Sequence, residues 1–341
     1  MKNLFFNHKY RFALTLVFSL IVFLAQAQLS QGIEKVSITV SDLNRSLKFY
    51  TEVLHFQKIS ENEITDPAYM RLLGFGEEKI KIKTAQLQLG EEAIELIQYA
   101  DITTGRQIPP DSRSNDLWFQ HIAIVTNNMD KAYELLRKNK VVHVSSSPQT
   151  LPDYIPGAAG IKAFYFRDPD GHNLEVIYFP KGKGKARWQE ANPNVFLGID
   201  HTAIGISDTD QSLDFYEKEL GLQVGGNSEN YGPEQEHLNQ IFGAHLLITG
   251  LKANKGFGLE FLNYIAPPGG RQYPSDSKTN DLWHWHTTIR VHSIEKLFNK
   301  LKEKGCRFIS DKIIHFHHAG APFQKGFMLR DPDGHAVLLV E

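Results

Sequence analysis

The chain has 341 residues, with 37 Lys and Arg against 39 Asp and Glu, for a formal net charge of -2. That balance offers no basic excess for nucleic acid, and the length suffices for roughly two ordinary domains with their own cores. The single cysteine, Cys306, excludes an internal disulfide and any cysteine metal cluster.

The first element in chain order is a leader rather than part of the fold. Lys2, His8, Lys9 and Arg11 make a basic start. Phe12 to Leu24 is apolar apart from Thr15 and Ser19, and Ala25-Gln26-Ala27 supplies the small residues a signal peptidase reads. The apolar run is short for a membrane span. Residues 1–27 therefore read as a secretory signal peptide, with export to the periplasm or beyond and no stable membrane insertion after cleavage. An uncleaved anchor is the alternative.

Val36 to Val40 alternates as a strand does, and Ser41-Asp42 then gives a helix N-cap signal. Ser46 to Leu54 has helical spacing, with Leu47, Tyr50 and Leu54 on one face. Three strand-like segments follow, ending in Ala93 to Tyr99. His121 to Val125 restarts the series: strand, cap, a helix through Leu136, strands, and a last strand at Asn173 to Phe179. The segment FPKGKGKARWQEANPN, Phe179 to Asn194, is rich in Gly, Lys and Pro and reads as a linker.

After the linker the whole series recurs. Gly32-Ile33-Glu34-Lys35 returns as Gly198-Ile199-Asp200-His201, and Asn115-Asp116-Leu117-Trp118 as Asn280-Asp281-Leu282-Trp283. The hexapeptide RDPDGH stands at Arg167 to His172 and again at Arg330 to His335. Near-constant spacing along the length means tandem duplication. The fold class is α+β, built from four βαβββ modules in two domains, 32–179 and 196–341, with 180–195 between them. The Pro and Gly of each DPDG suit a tight reversal between the last two strands. His172 lies three residues before Glu175, so the two face opposite sides of the strand, as do His335 and Leu338. The hexapeptide therefore marks architecture, not ligands.

Paired βαβββ modules, SDLNRSLKFY after the first strand and DPDGH before the last resemble the vicinal oxygen chelate superfamily. It includes glyoxalase I, extradiol dioxygenases, methylmalonyl-CoA epimerase, and fosfomycin and bleomycin resistance proteins. The resemblance covers essentially the whole chain after the leader. It implies that two modules curl one sheet around a cavity, with metal ligands from the first and last strand of each module. It does not fix the reaction, because this fold hosts several chemistries and plain binders.

Strand periodicity identifies the cavity face independently. Val36, Ile38 and Val40 oppose Lys35, Ser37 and Thr39. Ile122 and Ile124 oppose His121 and Ala123. Ile204 and Ile206 oppose His201, Ala203 and Gly205. Glu95, Glu175 and Glu260 each lie within an apolar last strand, which is costly unless something pairs with the carboxylate. The resemblance then fills four ligand positions in each half: Lys35, Glu95, His121 and Glu175 in the first; His201, Glu260, His286 and Leu338 in the second. The second set gives the expected metal site, His201, Glu260 and His286, with the composition of a triad for Fe(II) that also suits Zn(II) or Mn(II). For the first set three readings stay open: a dead site closed by a Lys35–carboxylate ion pair, a metal on Glu95, His121 and Glu175, or Lys35 as a base. Each half is expected to build its cavity internally.

Further candidates lie near the second site. Alternation puts His284 on the same face as His286, as another ligand, a proton carrier or a hydrogen-bonded cavity histidine. His317 and His318 are either acid/base groups over the metal or a surface cluster. Tyr231, in a probable turn before a helix, is a candidate substrate contact. The expected function is metal-dependent chemistry on a small oxygen-rich substrate, either dioxygenase-like ring cleavage or isomerase/lyase chemistry. Export disfavours thiol and CoA cosubstrates. The other reading is a metal-free binding protein of the bleomycin-resistance type. Oligomeric state is left open.

Overall fold

The computed structural model describes residues 30–101, 105–268, 270–317 and 321–341. The expected signal peptide, 1–27, and His318 lie outside the described residues. Among the described residues, no helix is long and apolar enough to cross a membrane.

The first module comprises β1 (Ser30–Thr39), α1 (Leu43–Lys48, continued by a π-helical turn Phe49–Val53), β2 (Gln57–Ile64), α2 (Pro67–Leu72), β3 (Ile82–Leu89) and β4 (Glu92–Tyr99). The second has β5 (Gln120–Thr126), α3 (Met129–Lys138), the short β6 (Val142–His143) and β7 (Gln149–Thr150), β8 (Lys162–Arg167) and β9 (Asn173–Tyr178). The third repeats the first: β10 (Phe196–Ile206), α4 (Thr209–Leu213, with a π-helical turn Asp214–Glu219), β11 (Gln223–Tyr231), α5 (Pro233–Asn239), β12 (His245–Lys252) and β13 (Gly258–Ala266). The fourth repeats the second: β14 (Trp285–Val291), α6 (Ile294–Glu303), β15 (Arg307–Phe308), β16 (Ile314–His315), β17 (Lys325–Arg330) and β18 (Ala336–Val340). The cap signals act as such. Asp42 accepts from the Arg45 N–H at 3.0 Å, Asn128 from Lys131 at 3.0 Å and Asp208 from Gln211 at 2.9 Å.

The modules join crosswise. One nine-stranded sheet runs β15-β17-β18-β14-β1-β4-β3-β2, with β16 on β17, and so combines the first and fourth modules. The other runs β11-β12-β13-β10-β5-β9-β8-β6, with β7 on β8, and combines the second and third. The antiparallel seams are β1 with β14 and β5 with β10. The expectation that each half closes its own cavity is thereby overturned. The reason is physical: all four modules present a similar apolar first strand, so alternation sets which face is buried but not which first strand becomes the neighbour.

The aliphatic faces behave as their periodicity requires. Val36, Ile38, Ile122, Ile124, Ile204 and Ile206 belong to one continuous buried core that also takes in Leu43, Leu136, Phe215 and Leu297 from the helices. The opposite faces curve around two cavities.

Repeated motifs turn out to be reciprocal locks. In each half the Tyr of the helix meets the first Asp of the DPDG turn: the Tyr50 hydroxyl donates to Asp168 at 3.3 Å, and that of Tyr216 to Asp331 at 3.0 Å. The cap-motif serines do the same for the second Asp, Ser41 with Asp170 at 2.5 Å and Ser207 with Asp333 at 2.6 Å. His172 Nδ1 sits 2.8 Å from Asp168 and its Nε2 2.6 Å from the Leu282 carbonyl. His335 Nδ1 sits 3.0 Å from Asp331. The hexapeptide histidines therefore organise turns. The Asn-Asp-Leu-Trp repeats clamp the halves together: Arg106 donates to Asp281 at 2.8 Å and lies over Trp283, while Arg271 donates to Asp116 at 2.7 Å and lies over Trp118. Residues 180–195 are more than a spacer. They contain a 3₁₀ turn, Ala186–Gln189, whose buried Trp188 donates to Asp200 at 2.8 Å.

Candidate metal centre

The crosswise seam decides which side chains meet. On the sheet of the second and third modules, β10 runs against β5 with His201 opposite Ala123 and Ala203 opposite His121. The parallel neighbours β9 and β13 place Glu175 beside Ala123 and Glu260 beside Ala203. Four donors thus converge from four strands. His121 Nε2 lies 3.1 Å and His201 Nε2 3.6 Å from Glu175 Oε2, and His201 Nε2 lies 3.4 Å from Glu260 Oε2. Ligand atoms of His121, Glu175 and His201 all lie within 4.8 Å of one another, and all three residues are buried.

Neither ring nitrogen of His121, nor Nε2 of His201, meets hydrogen-bond geometry with any partner despite complete burial. Orphaned buried nitrogens are costly, and the two Nε2 atoms face the same Glu175 oxygen, 3.1 Å and 3.6 Å away. Two imidazoles and two carboxylates fit a divalent ion. Asp200 Oδ2 stands 3.2 Å from His201 Nδ1, which orients the ring with Nε2 inward. Burial pulls the His201 imidazole down, but Glu260, Asp200 and Glu175 outweigh it and raise the group to about 9. Burial lifts the Glu260 carboxyl above its ordinary range, and Glu175 adds to this against the opposing pull of His201 and His121.

The cavity beside these donors measures about 140 Å³ and is lined in part by Tyr165, Asn230, Gln235 and Leu238. The segment 151–161 covers it, contributing Leu151, Gly157, Ala158 and Ile161 to the wall. Tyr231, a candidate substrate contact in the sequence, is half exposed and packs on Tyr154 at 5.3 Å and His245 at 5.2 Å. It braces the cover and does not line the cavity.

The other sheet receives the remaining candidates. Ser37 pairs with His286 on one side and Glu95 on the other, so the expected trio His201, Glu260 and His286 is not brought together. Nor is the trio Glu95, His121 and Glu175. Lys35 Nζ lies 2.9 Å from Glu95 Oε1, and Ser37 donates to Oε2 at 2.9 Å. Burial alone would raise the Glu95 carboxyl, but Lys35, His286 and Ser37 hold it below its ordinary range. Leu338 lies on this sheet, buried against Ala336, Phe316 and Phe323. Burial pushes the His286 imidazole down to about 4, with Lys35 adding to the effect and Glu95 opposing it. His284 Nε2 is 3.3 Å from His286 Nδ1, and burial also pushes His284 well down. His317 is exposed near His315, on the half of the molecule away from His201. His284 and His317 are therefore not part of the four-donor cluster.

Comparisons with known proteins agree with this architecture. The family model described as Glyoxalase/Bleomycin resistance protein/Dioxygenase superfamily matches residues 32–176 and 198–339. A 2-epi-5-epi-valiolone epimerase from Actinomyces sp is 32% identical over 154 residues, 44% of this chain and 81% of the relative. A lactoylglutathione lyase from Arabidopsis thaliana is 27% identical over 191 residues, 54% of this chain and 53% of the relative, so the match spans about half of that protein. A glyoxalase I variant from Zea mays shares the fold with a TM-score of 0.60 at 20% identity, covering 94% of this chain and 96% of the other. With matches in both halves of the chain, the protein belongs to the glyoxalase/bleomycin resistance protein/dioxygenase superfamily.

Proposed function

We propose that the protein is a divalent-metal-dependent isomerase or lyase that moves a proton on a small oxygen-rich substrate, with its centre at His121, Glu175, His201 and Glu260. The observation that carries the reading is the convergence of buried His121, Glu175 and His201, with Glu260 3.4 Å from His201, where the inward histidine nitrogens face carboxylate oxygens without hydrogen-bond geometry. The donor set suits Zn(II), Mn(II) or Fe(II). When bound, such an ion polarises neighbouring substrate oxygens and stabilises the negative charge that develops on them.

The chain's own groups do the rest. Glu260 is the more accessible carboxylate, its side chain 25% exposed against 6% for Glu175, and it faces the cavity. Its raised carboxyl suits a group that takes a proton from substrate and returns it. Glu175 and the two histidines hold the centre. A carboxylate held beside these three ligands, 3.4 Å from His201, supplies the base that proton transfer needs. The names of the relatives, an epimerase and a lyase, point the same way.

Metal analysis of the purified protein, before and after reconstitution, tests the reading: about one equivalent is expected. If no divalent ion binds stoichiometrically, the proposal fails. With metal present, Glu260→Gln should stop deuterium wash-in from solvent into α-hydroxycarbonyl substrates. We also propose export, resting on the character of residues 1–27; the intact mass of protein recovered from cells should correspond to cleavage after Ala27.

A further inference from the structure

We propose that the second cavity, on the sheet that lacks the four donors, is a metal-free binding site for a neutral polyhydroxylated ring such as a sugar or cyclitol. This site is independent of the metal centre. Its volume is about 440 Å³, within the range of small-molecule sites, roughly 300–1,000 Å³. It is thus larger than the cavity of about 140 Å³ beside the four donors.

The floor is a polar stripe set by strand register. Ser60 on β2 stands opposite Gln86 on β3, and Asn62 opposite Thr84. Gln86 in turn stands opposite Glu95 on β4. All four uncharged side chains line the cavity, together with Lys35 and Glu95. Amides and hydroxyls in such a row both donate and accept, as vicinal hydroxyl groups demand.

The fold does not require this stripe. On the other sheet the register that places Gly250 opposite Glu260 places Gly226 opposite Gly250 and Ser228 opposite Ile248. Where the metal-side sheet has Gly226, Gly250 and Ile248, this sheet has Ser60, Gln86 and Thr84. At three stripe positions the cavity that has lost its metal ligands thus carries a hydrogen-bonding side chain where the other sheet carries Gly or Ile.

The lining also holds an aromatic cluster. Tyr69, Phe316 and Phe323 form it, with ring centroids 6.4 Å apart for Tyr69–Phe316 and 5.1 Å for Phe316–Phe323. A sugar or cyclitol ring presents C–H groups on its faces and hydroxyls at its edge, which matches a cavity lined by both aromatic rings and hydrogen-bonding side chains. The charges decide the ligand's charge. Lys35 is already neutralised by Glu95 at 2.9 Å. Among the described residues that line the cavity, Lys35 is the one cation, and it is already paired. Asp66 is also committed to the Ala68 N–H at 2.8 Å. A neutral ligand fits this arrangement.

The test is saturation-transfer NMR on the purified protein stripped of metal, with methyl glucoside and myo-inositol as neutral probes and gluconate and glucosamine as charged ones. At least one neutral probe should bind without metal, and equally in His201→Ala. Gln86→Leu and Asn62→Leu should each weaken binding about tenfold, and Phe323→Ala should weaken it as well. The Gln86 and Asn62 variants leave the buried Lys35–Glu95 pair intact, so circular dichroism should show an unchanged fold. Failure of both neutral probes to bind would overturn the proposal. So would loss of binding on metal removal, unchanged binding in both leucine variants, or tighter binding of a charged probe.

Discussion

His121 and His201 sit on neighbouring antiparallel strands with their rings 5.7 Å apart, although they come from different halves of the chain. The whole candidate centre depends on that seam. The first prediction follows from it. His121→Ala and His201→Ala should each abolish stoichiometric metal in elemental analysis, while His286→Ala, on the other sheet, should leave metal content unchanged. Metal loss in His286→Ala with retention in His121→Ala would contradict the crosswise pairing.

Asp200 hydrogen-bonds His201 and is not one of the four donors. Its carboxylate, 3.2 Å from Nδ1, fixes the ring. Replacing such an orienting carboxylate typically weakens metal binding about 10- to 100-fold. Asp200→Asn should therefore bind metal with reduced affinity in a competitive chelator titration.

Metal binding should depend on pH through His201. Without metal its imidazole is raised to about 9, so near neutrality an incoming ion must displace a proton. Apparent affinity should rise with pH, about tenfold per unit, and level off as pH passes about 9. Calorimetry in buffers of different ionisation enthalpy should detect proton release near neutrality and its disappearance at higher pH.

The reciprocal clamps should matter for stability rather than chemistry. Asp281 is buried and accepts both the Arg106 backbone N–H, at 2.8 Å, and its guanidinium, at 2.8 Å. Arg106→Ala leaves that carboxylate short of a partner and should cost about 2 kcal/mol in urea unfolding. Arg106→Lys should recover only part of it, because an ammonium lacks the planar fork. Metal content should not change in either variant.

His172 separates architecture from ligation in the same way. It holds Asp168, which also takes the Tyr50 hydroxyl. His172→Ala should destabilise by about 3 kcal/mol, because a buried carboxylate loses its main partner, while keeping metal bound. Loss of metal without loss of stability would show that the hexapeptide histidine is a ligand after all.

Much of this was open to reading in the residues. Alternation on β1, β5 and β10 identified the cavity face, so Lys35, His121 and His201 could be picked out before any neighbour was known. Glu95, Glu175 and Glu260 stood out because a carboxylate in an apolar strand needs a partner. His172 and His335 could be set aside by their facing. The grouping was harder. Pairing modules within a half leaves one misfit in each cavity, Lys35 in the first and Leu338 in the second. Crosswise pairing places both misfits in one cavity and leaves four competent donors in the other. That sorting was present in the chain as a signal, but only for a reader who already treated the seam as undecided.

The sequence by itself determined four repeated modules, the inward and outward faces of their strands, and the set of residues able to take part in chemistry. These follow from local periodicity, which is a property of each strand alone. The tertiary structure decided which modules share a sheet, and with it which of those residues meet. Similar first strands make the alternatives alike at the level of pattern. The choice therefore falls to long-range contacts, among them the Arg106–Asp281 and Arg271–Asp116 clamps and the buried Trp188, that only the folded chain brings together.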